Sequence, residues 1–348
     1  MHQYFTDNQK QKDEFLALLE KPKNIVLTAH QNPDGDAFGS SLGLWAFLKQ
    51  LNHNVTVVSP TDHADYIAWM PGVSEVLDFQ NEKLQPRAKE IIEKADIIFC
   101  LDFSSLGRVG DMEESLRTSS ALKVLIDHHQ APETFADYVF WNEKAAATCE
   151  LIYLMIEELG LLKYINKDVA TCLYTGILTD TGSFKFDSTS ITVHRIAGEL
   201  IDKGINPNAI NRRLFDQNSI DRLRFLGYAL KEKLNFLEEY RVSYFYFSKE
   251  ELVAYNSKKG DTEGLVNYGL SISGAVMSAI FIERDDMIKI SFRSVDDFSV
   301  SEFSRNHFSG GGHKNAAGGK SDDSLEDTVK KFLELLPTYK GELTSQPS

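Results

Sequence analysis

Along the first half of the chain, short runs of branched apolar residues stop abruptly at an acid or a histidine. Residues 24–28 (Asn-Ile-Val-Leu-Thr) lead to His30, Asp34 and Asp36, and residues 95–101 lead to Asp102. Residues 122–126 lead to Asp127-His128-His129, and residues 172–178 to Thr179-Asp180. Runs of this kind bounded by turn residues predict buried strands. The last run also lies inside a helical pattern, 166–178, which delivers Asp180. Apolar positions recur at helical spacing over 13–20, 42–51, 87–94 and 145–159, the last closed by Gly160. Residues 55–58 predict another strand and 138–141 an edge strand, while 66–79 read as loop and short strand. Strands alternating with helices predict a parallel sheet with right-handed crossovers.

The texture changes further on. Residues 189–237 are almost wholly helical in pattern, interrupted near 204–207 and 217–219. Beyond Tyr240, residues 241–247, 275–282 and 287–293 alternate and predict strands of a mixed sheet. Residues 300–303, a glycine loop and a helix over 325–336 complete that region, and 338–348 read as a loose tail. The expected architecture is α/β: a parallel-sheet catalytic domain over 1–190 and a helical connector over 191–238. A smaller α+β mixed-sheet domain follows over 239–340, with a tail over 341–348.

The stretch His30-Gln31-Asn32-Pro33-Asp34-Gly35-Asp36 packs an imidazole and two carboxylates around a turn that Pro33 and Gly35 enforce. Three ligand-type side chains converging on one point can hold a divalent cation. An Asx-rich turn capping the next helix is the plainer alternative. The recurrence of acids and histidines at the ends of later apolar runs favours a binuclear metal site. Arg108 reads as a phosphate contact or, slightly preferred, a salt-bridge partner. Thr148 reads as a substrate contact or, more commonly for such a residue, a helix cap.

Composition narrows the function. The 348 residues carry a net charge of −14, which argues against a long nucleic-acid track held by charge. Residues 241–340 are nearly balanced, with 13 Lys+Arg against 15 Asp+Glu. Small anionic substrates held by a few aimed cations fit this pattern. No apolar run reaches membrane-span length, and the beginning of the chain lacks a signal-peptide pattern, so a cytoplasmic protein is expected. Cys100, Cys149 and Cys172 are widely spaced in apolar surroundings and read as reduced core residues. The sequence has neither a Walker-type phosphate loop nor a nucleophile elbow.

The HxxxDxD motif, the isolated Asp102, the Asp127-His128-His129 triplet and Thr179-Asp180-Thr181-Gly182-Ser183-Phe184 together resemble the DHH phosphoesterase superfamily. Gly310-Gly311-Gly312-His313 resembles the loop of the DHH-associated substrate domain, so the likeness covers nearly the whole chain. The resemblance implies one cation on His30, Asp34 and Asp102, and a second on Asp36, Asp102, His128 and Asp180, with Asp102 bridging. Mixed imidazole and carboxylate ligation favours Mn²⁺ over Mg²⁺. It further implies that His129 faces the substrate phosphate, with Asp127 orienting an imidazole. Arg293, His313 and the glycines at 310, 311 and 312 would grip nucleotide, with Arg305 and His307 as weaker candidates. Gln130-Ala131-Pro132 replaces an Asn found nearby in several relatives, and Ser309 replaces a fourth glycine. The expected function is that of the nano-RNase branch: hydrolysis of very short oligonucleotides and of 3′-phosphoadenosine 5′-phosphate, with no long nucleic acid, no membrane and a homodimer allowed. A cyclic-dinucleotide phosphodiesterase, a RecJ-like exonuclease and a non-catalytic nucleotide-binding module are the competing readings.

Overall fold

The computed structural model describes residues 9–258 and 260–345. They fall into two compact units, Met1–Gln217 and Asn218–Ser348. The first is built on six parallel strands: β1 (Asn24–Thr28), β2 (Asn54–Ser59), β3 (Leu77–Asp78), β4 (Ile97–Leu101), β5 (Leu122–Asp127) and β6 (Tyr138–Trp141). Their order is β3-β2-β1-β4-β5-β6. The chain reverses direction between β1 and β4, which is the place in an open α/β sheet where ligands bind.

The helices of this unit are α1 (Gln9–Leu19), α2 (Gly35–Gln50), α3 (Gln85–Glu93), α4 (Glu113–Thr118), α5 (Thr148–Glu158), α6 (Lys167–Asp180), α7 (Ile191–Asp202) and α8 (Pro207–Phe215). Asp180 therefore ends a helix, not a strand. The run 172–178 is apolar on all sides because α6 is buried between α2 and α5, and an all-round apolar helix cannot be told from a strand by periodicity. Cys100, Cys149 and Cys172 are buried free thiols in this core.

The close approach of α2 to α6 has a simple cause. Gly35, Gly39 and Gly43 recur every fourth residue and line one face of α2. A Cβ at Gly39 would sit 2.7 Å from the Cys172 carbonyl oxygen, and one at Gly43 would sit 2.8 Å from Leu173 Cδ2. Gly176 of α6 answers from the other side, where a Cβ would lie 2.6 Å from Asp36 Oδ1. Small residues on both helices thus let the backbones meet and bring the Asp36 and Asp180 segments side by side.

The segment 191–238 is helical, but its parts belong to different cores. Side chains of α7 and α8 pack into the first unit, whereas α9 (Ile220–Tyr228) packs its Phe225 in the second. The second unit is a six-stranded sheet, in order β11-β12-β10-β9-β8-β7. Its strands are β7 (Asn235–Leu237), β8 (Val242–Phe247), β9 (Met277–Glu283), β10 (Ile288–Ser294), β11 (Gly311–His313) and β12 (Ala316–Ser321). Only β8 and β9 pair in parallel. The helices are α10 (Lys249–Ala254), α11 (Leu265–Leu270), α12 (Val300–His307) and α13 (Leu325–Thr344).

Two expectations are corrected here. The glycine stretch is a β-hairpin, not an open loop, and it adds two strands that a run of Gly and Ala does not announce. Residues 338–344 are not a loose tail, because α13 runs through Pro337 to Thr344. Leu336 and the fully buried Leu343 anchor the helix on both sides of the proline, so packing outweighs the missing N–H. Residues 346–348 lie outside the described residues. No helix among the described residues is long and apolar enough to cross a membrane.

Candidate metal centre and substrate face

The first unit gathers its chemistry at the carboxyl ends of β1, β4 and β5 and the end of α6. Asp34 is the N-cap of α2, its Oδ1 accepting from the N–H groups of Asp36 (3.0 Å) and Ala37 (3.1 Å). Its other oxygen, Oδ2, stands 3.8 Å from His30 Nε2. One oxygen of the carboxylate caps the helix and the other faces His30. Asp102 follows β4 in a left-handed conformation, φ +62°. Non-glycine residues held there cost roughly 1–3 kcal/mol and cluster at functional sites.

Asp102 is the centre of the arrangement. Its Oδ2 faces His30 Nε2 at 3.5 Å and its Oδ1 faces His128 Nε2 at 3.4 Å. His128 Nε2 also lies 3.4 Å from Asp180 Oδ2 and 3.8 Å from Asp36 Oδ2. Clusters that could hold a cation in this unit include His30 with Asp34 and Asp102, Asp36 with His128 and Asp180, and Asp102 with Asp127 and His129. Asp102 thus stands between the two imidazoles.

The ring orientations test whether metal fits. His30 Nδ1 donates to the Gln31 carbonyl (2.9 Å) and His128 Nδ1 donates to the Ala145 carbonyl (3.0 Å). In the neutral rings the nitrogens facing the carboxylates therefore carry lone pairs. Lone pairs aimed at buried carboxylates repel them unless a proton or a cation lies between, and the donor set suits a divalent cation.

The electrostatics point the same way. Burial alone pushes the His30 imidazole down, but Asp102 and Asp34 outweigh it and raise its pKa to about 9. His128 is likewise held well above the usual histidine range, the carboxylates overcoming burial. Burial and the neighbouring Asp102 push Asp36 up to about 7. Burial and the charges of Asp36 and Asp34 raise Asp180 well above the carboxylate range. Burial pushes Asp102 up too, yet hydrogen bonds to His128 and His30 hold it well below that range.

The start of α5 braces the buried carboxylates, which sequence reading missed. The N–H groups of Thr148 (2.6 Å) and Cys149 (3.0 Å) donate to the two oxygens of Asp36, and the Thr148 hydroxyl donates to Asp102 Oδ1 (3.0 Å). Thr148 thus touches Asp36 and Asp102 themselves. The helical pattern beginning at Ala145 was legible, but nothing local linked Thr148 to Asp36, 112 residues away. Glu150 completes the turn by accepting from the Ala146 N–H (2.7 Å), steadying the loop whose Ala145 carbonyl orients His128.

His129 lies beside Asp102, its Nδ1 3.7 Å from Asp102 Oδ1, and its first partner is Asp127. Its Nδ1 donates to Asp127 Oδ1 at 2.8 Å, and its backbone carbonyl accepts from Trp141 Nε1 (2.7 Å). Asp127 is fully buried and fixes the tautomer that presents Nε2 outward. Arg108 is exposed, and its backbone carbonyl accepts from the Gln31 N–H (2.9 Å), which holds the loop after β4 against the His30 turn.

In the second unit, Arg293 and His313 each pair in register with Ala316, so they occupy one row of one sheet face. The glycines divide by role. A Cβ at Gly310 would collide with the Gly318 carbonyl, and one at Gly312 (φ +147°) would lie 2.5 Å from the Ala316 carbonyl. Both serve the hairpin, while Gly311 faces open space. Arg305 lies on α12 and reaches back to Ser301 Oγ (3.4 Å), and His307 is hydrogen-bonded to the Tyr339 hydroxyl (2.7 Å).

Comparison with known proteins agrees with this layout. The DHH family, N-terminal domain, matches residues 24–177, and the DHHA1 domain matches residues 242–340. The bifunctional oligoribonuclease and PAP phosphatase NrnA of Thermus thermophilus is 30% identical, over 93% of this chain and 91% of its own. The Bacillus subtilis protein of the same name is 26% identical, over 88% and 92%. A crystal structure of an exopolyphosphatase-related protein from Bacteroides fragilis superposes with a TM-score of 0.92 at 37% identity, covering 97% of this chain and 98% of that one. Fold and relatives together define a metal-dependent phosphoesterase. The chain belongs to the DHH family, its DHH domain followed by a DHHA1 domain.

Proposed function

We propose that the protein is a two-metal phosphodiesterase that cleaves very short oligonucleotides to mononucleotides and also dephosphorylates 3′-phosphoadenosine 5′-phosphate. The observation that carries this reading is the placing of Asp102, with one oxygen toward His30 and the other toward His128. His30, Asp34 and Asp102 would hold one divalent cation, and Asp36, Asp102, His128 and Asp180 the other. Imidazole among the ligands favours Mn²⁺. Two such cations lower the pKa of a water and balance charge on the attacking and leaving oxygens.

The remaining work falls to the chain's own side chains. Asp127 holds the His129 ring through Nδ1; in its imidazolium form His129 donates from Nε2–H to a phosphate oxygen and passes that proton to the leaving oxygen, returning to the neutral ring. Asp36 and Asp102 are kept in place by the first turn of α5. Arg293 and His313 of the second unit, with the open Gly311, are assigned the grip on nucleotide, and the arginine fork suits a phosphate or a purine edge.

Support comes from the relatives named for oligoribonuclease and PAP phosphatase activity, and from the acidic surface implied by the net charge of −14. The name of the Bacteroides relative favours a second reading, hydrolysis of inorganic polyphosphate. A substrate panel decides between them: pApA, a length series to twenty nucleotides, cyclic dinucleotides, 3′-phosphoadenosine 5′-phosphate and polyphosphate, each with Mn²⁺. The expected result is the highest kcat/KM on two to four nucleotides. A value that rises steadily to twenty overturns the length preference, and turnover of polyphosphate alone overturns the nucleotide reading.

A further inference from the structure

The sheet of the second unit is covered unevenly. Residues paired in an antiparallel ladder share a face, so the register sorts the side chains of β10, β12 and β11. Ile288, Ile290, Phe292 and Ala317 are buried on one face. The other face has three rows. The first is Arg293, Ala316 and His313, the second Ser291, Gly318 and Gly311, and the third Lys289 with Lys320. Helix α11 closes this face over β8 and β9, where Gly269 packs against Ser243 and Ser278. Farther out the face opens: Lys289, Lys320 and Gly318 are exposed, and a Cβ at Gly311 would meet nothing within 4 Å.

The lysine pair is a poor choice for folding. Like charges directly opposed across an antiparallel pair destabilise it. Lys249, Lys314 and Lys340 of the same unit each pair with an acid, whereas neither Lys289 nor Lys320 has a carboxylate within ion-pairing distance among the described residues. A juxtaposed cationic pair in a chain of net charge −14, on the face that carries Arg293 and His313, calls for an anion.

We infer that Lys289 and Lys320 form a second phosphate station on this sheet face. The inference rests on the nucleotide reading above. Ser291, Gly318 and Gly311 are the low floor between the two cationic ends. Four residues of strand, at about 3.3 Å each, separate the lysine row from the row of Arg293 and His313. The face therefore accepts a ligand with two phosphate groups roughly 13 Å apart, which an extended trinucleotide with a terminal phosphate can present, whereas the two phosphates of a phosphorylated dinucleotide, joined through a single sugar, cannot. A phosphate there neutralises the lysine pair.

The test compares the full chain with K289Q, K320Q and the double variant. Binding of pApApA, pApA and unphosphorylated ApA is measured by calorimetry in EDTA, so that no turnover occurs. The double variant should bind pApApA about tenfold more weakly, as expected when charge-assisted hydrogen bonds are removed, and pApA and ApA as before. The slope of log Kd against log salt should fall by about 0.7 for each phosphate no longer neutralised. Its melting temperature should stay level or rise, because a like-charge pair has been removed. Equal weakening for all three ligands, or a melting temperature several degrees lower, assigns the lysines a structural role and overturns the station. If the wild type binds and hydrolyses these substrates and the double variant keeps every affinity, the station alone fails. If the wild type neither binds nor hydrolyses any of them, the nucleotide reading fails with it.

Discussion

The hydroxyl of Thr148 donates to Oδ1 of Asp102 at 3.0 Å, the oxygen that also faces His128. The first residue of a helix thereby braces the carboxylate placed between two imidazoles. Thr148→Ala keeps the backbone N–H to Asp36 and removes only this bond. Removing a hydrogen bond to a charged group costs about 1.5–3 kcal/mol of stability, so the melting temperature should fall by several degrees, and kcat should fall because Asp102 loses its brace. Thr148→Ser should restore most of the activity. Failure of serine to rescue would show that the methyl group's packing matters more than the hydroxyl.

Asp102→Ala removes the carboxylate proposed to be shared by the two cations. Turnover with Mn²⁺ should vanish, and elemental analysis of the purified variant should find fewer than two metals per chain. Near wild-type activity would end the bridging assignment.

His129→Ala should behave differently. His129 lies outside both proposed ligand sets, so metal content should be retained while kcat drops, an effect concentrated in the transition state. Asp127→Asn should give a weaker version of the same loss by releasing the ring. An empty metal site in His129→Ala would make that residue a ligand.

Gly176→Ala tests the close approach of α2 and α6. The new methyl would lie 2.6 Å from Asp36 Oδ1 and press on Cys149. Overpacking of this kind costs about 1–3 kcal/mol, and here it should also weaken metal binding by displacing Asp36. Gly198→Ala on α7, with open space around the added carbon, should instead be neutral or stabilising by about 0.4–1 kcal/mol. Equal melting temperatures for the two variants would contradict the packing argument.

The pH dependence of the metal-free and metal-loaded forms should diverge. A folded-state pKa raised to about 9 for His30 gives stability that is complete below its ordinary 6.5 and lost as pH rises through 9. Asp36, raised to about 7, gives stability complete below 3.8 and lost as pH rises through 7. With EDTA, these two groups should lower the melting temperature progressively, Asp36 from 3.8 to about 7 and His30 from 6.5 to about 9. Metal displaces the same protons, so Mn²⁺ affinity should tighten over those intervals. A gap between the two melting curves that narrows with pH would reverse the sign and refute the displacement.

Sequence alone determined which groups come together along the chain. His30, Asp34 and Asp36 are held by one turn, and Asp127, His128 and His129 are adjacent, so their grouping follows from local spacing. The parallel sheet was equally legible, because strand and helix periods alternate within short windows. Tertiary structure decided the rest. The bonds of α5 to Asp36 and Asp102 join segments 112 and 46 residues apart, and no local pattern encodes them. Gly35 reads in sequence only as a turn residue, and the packing role of Gly35, Gly39 and Gly43 on α2 emerges only with α6 laid against them. The 311–321 hairpin was hidden because Gly and Ala carry no strand signal. Arg293, His313, Lys289 and Lys320 share a face only through register, which is fixed by the apolar residues on the opposite face: a slip of one residue would bury the cations and expose Phe292.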